Sequence, residues 1–119
     1  MNKRTIGTDY ERKAATYLKE NGMRIVESNF RNRQGEIDII GYHNQCLVFS
    51  EVKYRKNGNL GFPSEAVDIR KQRIICKVAD YYRFIHHIGS DLSMRYDVVA
   101  ICGEEIKWYQ NAFYHIGNY

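Results

Sequence analysis

From Thr5 to Gly22 the apolar residues recur at every third or fourth position. Tyr10, Ala14, Tyr17 and Leu18 share one face, and Gly22 stops the pattern, which predicts an amphipathic helix. "MRIVESNF" then reads as a short strand, and "RNRQG" as a polar connection. Two strands follow, Glu36 to Gly41 and Cys46 to Tyr54, joined through "YHNQ" as a hairpin. "RKNGNLGFPSE" carries glycines and the only proline, and is expected to be a mobile loop that could clamp a ligand. Helical spacing returns from Asp68 to His87, with Ile74, Ile75, Val78, Ala79 and Tyr82 on one face, until "HHIGSDLS" breaks it. "MRYDVVAIC" and "EIKWYQ" form a second strand pair turning at "GE". The order α-β-β-β-α-β-β is that of a mixed α/β domain with helices against a central sheet. There is no internal repeat, low-complexity tract or linker.

Composition narrows this picture. With 119 residues, 44% hydrophobic and 27% charged, the chain has the size and balance of one domain around a single core. No apolar run approaches the ~20 residues that span a bilayer, so no membrane partner is expected. The basic start "MNKRTIGTDYERK" is followed by no apolar stretch and does not read as a secretory signal. Cys46, Cys76 and Cys102 are far apart in apolar surroundings. They suggest free thiols in a reducing, cytoplasmic setting rather than disulfides or a zinc site. A net charge of +4 and a pI near 9.0 favour an anionic partner, of which nucleic acid is the commonest.

The unusual feature is acidic. Glu36, Asp38, Glu51 and Lys53 lie in or beside the most strand-like segments, where ionised groups are costly unless paired or metal-bound. Alternation puts Glu36, Asp38 and Ile40 on one face of the first strand and Ile37 and Ile39 on the other. On the second strand, Leu47, Phe49, Glu51 and Lys53 share a face. Across a short hairpin, Asp38 and Glu51 can then meet. Two ionised carboxylates so close repel unless a cation lies between them, and oxygen donors suit Mg²⁺ or Mn²⁺. Lys53 points into the same place. A metal, its water and an ammonium are the parts needed to hydrolyse a phosphodiester. A Glu-x-Lys pair alone is equally a surface salt bridge; the Asp at hairpin distance is what raises the interest.

"GEIDII" followed by "LVFSEVKYR" resembles the PD-(D/E)xK nuclease signature. Over its whole length the chain resembles the bacterial YraN-like family of predicted endonucleases, which is similar to archaeal Holliday-junction resolvases. The supporting stretches are "IGTDYERKAATYL", "IVESNFRNRQGEIDII", "PSEAVDIRKQRI", "RYDVVAI" and the terminal "NAF". The resemblance implies a restriction-endonuclease-like αβββαβ core, a central mixed sheet flanked by helices, in a single nuclease-like domain over residues 1–119. It implies Asp38 and Glu51 as metal ligands, the Val52 carbonyl as a further ligand, and Lys53 as the catalytic lysine. Glu11 matches a first-helix glutamate of resolvase-like members; it either reaches inward or is a solvated helix residue. Glu36 either joins the site or pairs with Arg31 or Arg33. Ser50 and Tyr54 depart from the family pattern, where an apolar and a small polar residue are usual.

Arg31 and Arg33 before the site strand, Arg55 after its partner, and Lys71 and Gln72 at the start of the second helix are candidates to hold DNA phosphates. Adjacent His86 and His87 point about 100° apart on a helix and read as helix-end residues. Trp108 and Tyr109 read as core or interface. The expected activity is metal-dependent hydrolysis of DNA, on branched or flapped forms, with a homodimer compatible with it. The alternative is a nucleic-acid-binding or scaffolding protein of the same fold with little turnover.

Overall fold

The computed structural model describes residues 3–55 and 67–117. The segment expected to form the mobile loop lies, after Arg55, outside the described residues. Helix α1 (Lys3–Glu20) is followed by strands β1 (Arg24–Arg31), β2 (Glu36–His43) and β3 (Cys46–Tyr54). Helix α2 (Ile69–Ile85) and strands β4 (Met94–Cys102) and β5 (Glu105–Phe113) complete the order expected from the periodicity.

The end of α1 is set by Gly22, whose φ of +100° admits the left-handed turn that a side chain would resist. Gly22 N–H then donates to Lys19 and Met23 N–H to Leu18, a Schellman closure that seats Met23 in the same apolar cluster as Leu18. Helix α2 starts at Asp68, whose carboxylate accepts the Lys71 amide at 2.8 Å, a cap worth about 1 kcal/mol. It ends at Ile85 with His86 as its C-cap, so the two histidines do stand at the helix end.

The sheet order is β1-β2-β3-β4-β5, antiparallel except for the parallel pair β3–β4. That parallel pair requires a crossover, and α2 supplies it. The β2–β3 connection is tighter than the expected "YHNQ". Tyr42 and His43 remain paired with Leu47 and Cys46, leaving only Asn44 and Gln45, both at positive φ, in a two-residue turn. Strand β5 runs past the expected "EIKWYQ" as far as Phe113.

Each face of the sheet has its own core. Ala14, Leu18, Met23, Ile39, Val48, Val99 and Ile101 form one cluster beneath α1. Ile37, Ile40, Leu47, Phe49, Ile75, Val78, Ala79, Tyr82 and Val98 belong to the other, beneath α2. Burying each such Leu, Ile or Phe contributes about 1.5–3 kcal/mol. Strict alternation therefore fails along β2: Ile37 and Ile40 pack on the α2 side and Ile39 on the α1 side. The break falls at Asp38.

All three cysteines are free; Cys76 is buried, the other two half-buried. Among the described residues, no helix is long and apolar enough to cross a membrane.

Candidate active site

The break at Asp38 is where β2 and β3 part. Their pairing runs from His43–Cys46 to Ile39–Ser50 and goes no further, although both strands continue. In the gap, Asp38 Oδ2 accepts the Val52 amide at 2.8 Å, so a side-chain carboxylate stands where a strand carbonyl would have closed the ladder. On the other side of β2, Asn29 lies between the Ser28–Ile39 and Phe30–Ile37 pairs in a left-handed conformation (φ +54°). The sheet is thus opened on the β3 side of Asp38, while the β1 register continues through Phe30–Ile37 and Arg31–Glu36.

Groups from both helical layers converge on this fork. Carboxylate oxygens of Glu11 from α1 and of Glu36 and Asp38 from β2 all lie within 4.8 Å of one another. Glu11 and Asp38 also line a cavity of about 230 Å³ with Arg12, Ala15, Ser28, Asn29 and Ile39. Glu51 is 7% exposed on β3. Gly35 lets α2 pack closely here: a Cβ there would sit 2.4 Å from Ile74 Cγ2, so any side chain would force Ile74 to shift.

The electrostatics are adverse to the acids. Burial pushes the Asp38 carboxyl up to about 6; Glu11 and Glu36 add to the rise, while the Val52 amide and Lys71 oppose it. Burial likewise pushes Glu51 up to about 7, with the Asp38 charge adding and Lys71 and Lys53 opposing. Each acid is a cost to the other's ionisation. Hard oxygen donors gathered in excess of their counter-charge fit a divalent cation such as Mg²⁺ or Mn²⁺.

A model of the uncharacterised protein family UPF0102 matches residues 10–101. The chain belongs to that family. A UPF0102 protein of Lachnoclostridium phytofermentans is 47% identical over 95% of this chain and 96% of its own length. UPF0102 proteins of Fusobacterium nucleatum (41% identical, 93% of this chain and 92% of the relative) and Alkaliphilus oremlandii (44%, 95% and 100%) are similar over almost their whole lengths. The match includes all four residues singled out as catalytic candidates, Glu11, Asp38, Glu51 and Lys53.

In this UPF0102 chain the candidates are distributed as follows. Glu11 reaches inward to Asp38. Glu36 does both things expected of it in the alternative: it joins the acidic group and pairs with Arg31 at 3.3 Å. Glu51 is coupled to Asp38 through charge, yet it is not in the 4.8 Å group. At the fork Val52 meets Asp38 through its N–H rather than through its carbonyl. Lys53 is half-buried on β3, and its charge favours ionised Glu51. Lys71, expected only as a phosphate contact, acts on Asp38 and Glu51 alike. Gln72 spends its amide on the Val67 carbonyl at 3.0 Å, inside its own helix start. Arg33 is exposed, and Arg55 is half-buried with its N–H donating to Ile101. Sequence reasoning passed over Arg12, Ser28 and Asn29, which line the cavity. Arg12 follows Glu11 directly, but nothing local announces that Asn29 leaves the extended conformation.

Proposed function

We propose that this chain is a metal-dependent endonuclease of the restriction-endonuclease-like class that hydrolyses DNA phosphodiester bonds. The observation that carries the reading is the meeting of Glu11, Glu36 and Asp38 within 4.8 Å beside the buried Glu51, with Lys53 and Lys71 as the neighbouring cations. Asp38 and Glu51 would hold the Mg²⁺ or Mn²⁺, with Glu11 or Glu36 completing the oxygen set. When bound, such an ion polarises phosphoryl oxygen and lowers the pKa of its water. Lys53 stabilises negative charge developing on the cleaved phosphate, and Asp38 is held in orientation by the Val52 amide. Arg33, Arg55 and Lys71 would contact flanking phosphates in a sequence-independent way. Arg31 shares its charge with Glu36, so its phosphate contact is the weakest of the set.

The test is incubation with linear, single-stranded, flap and four-way DNA under Mg²⁺, Mn²⁺ and chelator. Metal-dependent cleavage of at least one form, abolished by chelator, is expected. Binding of DNA with no cleavage of any form under either ion favours instead a nucleic-acid-binding or scaffolding protein.

A further inference from the structure

Two tyrosines meet on the α1 side of the sheet in a way the acids do not explain. The rings of Tyr10 and Tyr54 are stacked, with centroids 4.0 Å apart and planes 23° from parallel. Tyr10 is half-buried and packs on the α1-side core, whereas Tyr54 remains 40% exposed. The buried ring therefore supports an open one. Tyr10 precedes Glu11 on α1; Tyr54 follows Lys53 on β3 but faces the α1 side, as Val52 does, while Lys53 faces the other.

Phe84, Tyr114 and Tyr81 are more exposed than Tyr54, and Tyr81 also stacks on a partly buried ring, Phe30, yet none of the three adjoins a candidate site residue in the chain. A merely structural pin between α1 and β3 would gain most from burying both rings, and Tyr54 contributes little burial. We propose that the Tyr10–Tyr54 pair is a platform on which an unpaired nucleobase stacks, so that the strand delivered to the acids is single-stranded, flapped or frayed.

This rests on the nuclease reading of the site and narrows it to a substrate class. Inside a duplex both faces of each base are already covered, so an open ring on the Glu11 side of the sheet rewards only a base that has left its stack. The Tyr10 hydroxyl is pushed up to about 12, chiefly by its hydrogen bond with Tyr54, and so brings no negative charge against the phosphates. Arg55 adjoins Tyr54 in the chain and Arg12, which pairs with Asp9 at 3.9 Å, lies two residues beyond Tyr10; both supply positive charge for the backbone.

The test measures binding in chelator, so that cleavage plays no part. A labelled oligo-dT and a blunt hairpin duplex are titrated with the parent, Tyr54→Ala and Tyr54→Trp. Tyr54→Ala should weaken oligo-dT binding about tenfold, which is about 1.4 kcal/mol, and leave duplex binding within about twofold. Tyr54→Trp should restore binding, and the new indole should be quenched by the oligonucleotide. Thermal melting of each variant guards against misfolding, and Tyr54→Leu, which keeps apolar bulk without a ring, should behave like Tyr54→Ala. Equal loss on both ligands, no loss on either, or a parent that fails to bind oligo-dT overturns the platform. A chain that binds oligo-dT through Tyr54 yet never cuts keeps the platform and refutes the nuclease reading. One that cuts duplex regardless of Tyr54 does the reverse.

Discussion

Two acids on neighbouring parts of one sheet have opposite surroundings. Asp97 on β4 is fully buried, and its carboxylate is saturated. It accepts Arg95 through Nε at 3.0 Å and through the second guanidinium nitrogen at 3.1 Å, the Trp108 indole at 2.8 Å and the Asn111 amide at 2.9 Å. Arg95 in turn donates to His43 Nδ1 at 2.7 Å. Asp38 on β2 receives, among the described residues, the single Val52 amide, and its other neighbours include two glutamates. Each acid faces an asparagine in the left-handed conformation on the adjoining strand. At Asp97, the irregular pairing of β4 with β5 turns Asn111 N–H onto the carboxylate; at Asp38, Asn29 lines an open cavity instead. A left-handed asparagine thus stands at both acids, donating to one and only lining the cavity beside the other. A fold able to satisfy a buried carboxylate so fully has left Asp38 and Glu51 short of partners among the described residues, and such local cost is typical of sites that bind something.

The sharpest way to break the contrast is to remove Asp97. Asp97→Ala strands the Arg95 guanidinium, the Trp108 N–H and the Asn111 N–H in a dry site, and should lower stability by about 3–5 kcal/mol in urea unfolding. A loss below about 1 kcal/mol would mean that the network is incidental.

At the fork, the effect falls on rate rather than folding. Lys53→Ala should reduce cleavage at least tenfold, and by on the order of 10²–10³ if its charge is well placed. DNA affinity should fall only slightly, because one phosphate contact among several is lost. Parental cutting by this variant under both Mg²⁺ and Mn²⁺ would exclude the proposed role.

The pH dependence separates the two acids next. Asp38 and Glu51 have folded values of about 6 and about 7, above their ordinary 3.8 and 4.5. The folded state therefore holds more protons than the unfolded state between about pH 4 and pH 7. Their contribution is fully present below about pH 4 and is lost as pH rises through 6 and 7. Metal-free protein should lose on the order of 3 kcal/mol from each of these groups over that window. The difference in melting between the parent and an Asp38→Asn, Glu51→Gln double variant measures it. The double variant should be the more stable at pH 8, and Mg²⁺ should stabilise the parent alone. A double variant that melts lower at pH 8 contradicts the idea that these charges are a burden.

The smallest effect is at Ser50, which lies in register between Ile39 and Asp97 and so between the two regions. Its hydroxyl is buried with no partner among the described residues. Ser50→Ala should be neutral or stabilising by up to about 1 kcal/mol. A clear loss of stability would point to a hydrogen bond that links the satisfied acid to the unsatisfied ones.

The sequence by itself determined the elements and their order, because helix and strand periods are local properties of the chain. Gly22 as a stop, the α2 apolar face, and the pairing of "MRYDVVAIC" with its successor follow from neighbours a few residues apart. The acids and Lys53 were legible too, as charges where a strand should be apolar. What only the tertiary structure decided lies at the fork. Alternation assumes an unbroken ladder, and it put Ile37 with Ile39. The ladder breaks where Asp38 replaces a carbonyl as acceptor for Val52, and Ile37 turns instead to the α2 side with Ile40. Glu11 joins Asp38, and Lys71 acts on Asp38 and Glu51, only because α1 and α2 pack on opposite faces of that opening. The saturation of Asp97 was equally hidden in "RYDVVAI", since two of its donors arrive from β5. A residue's periodicity is written in its neighbours, but its counter-charges come from distant segments that only packing brings near.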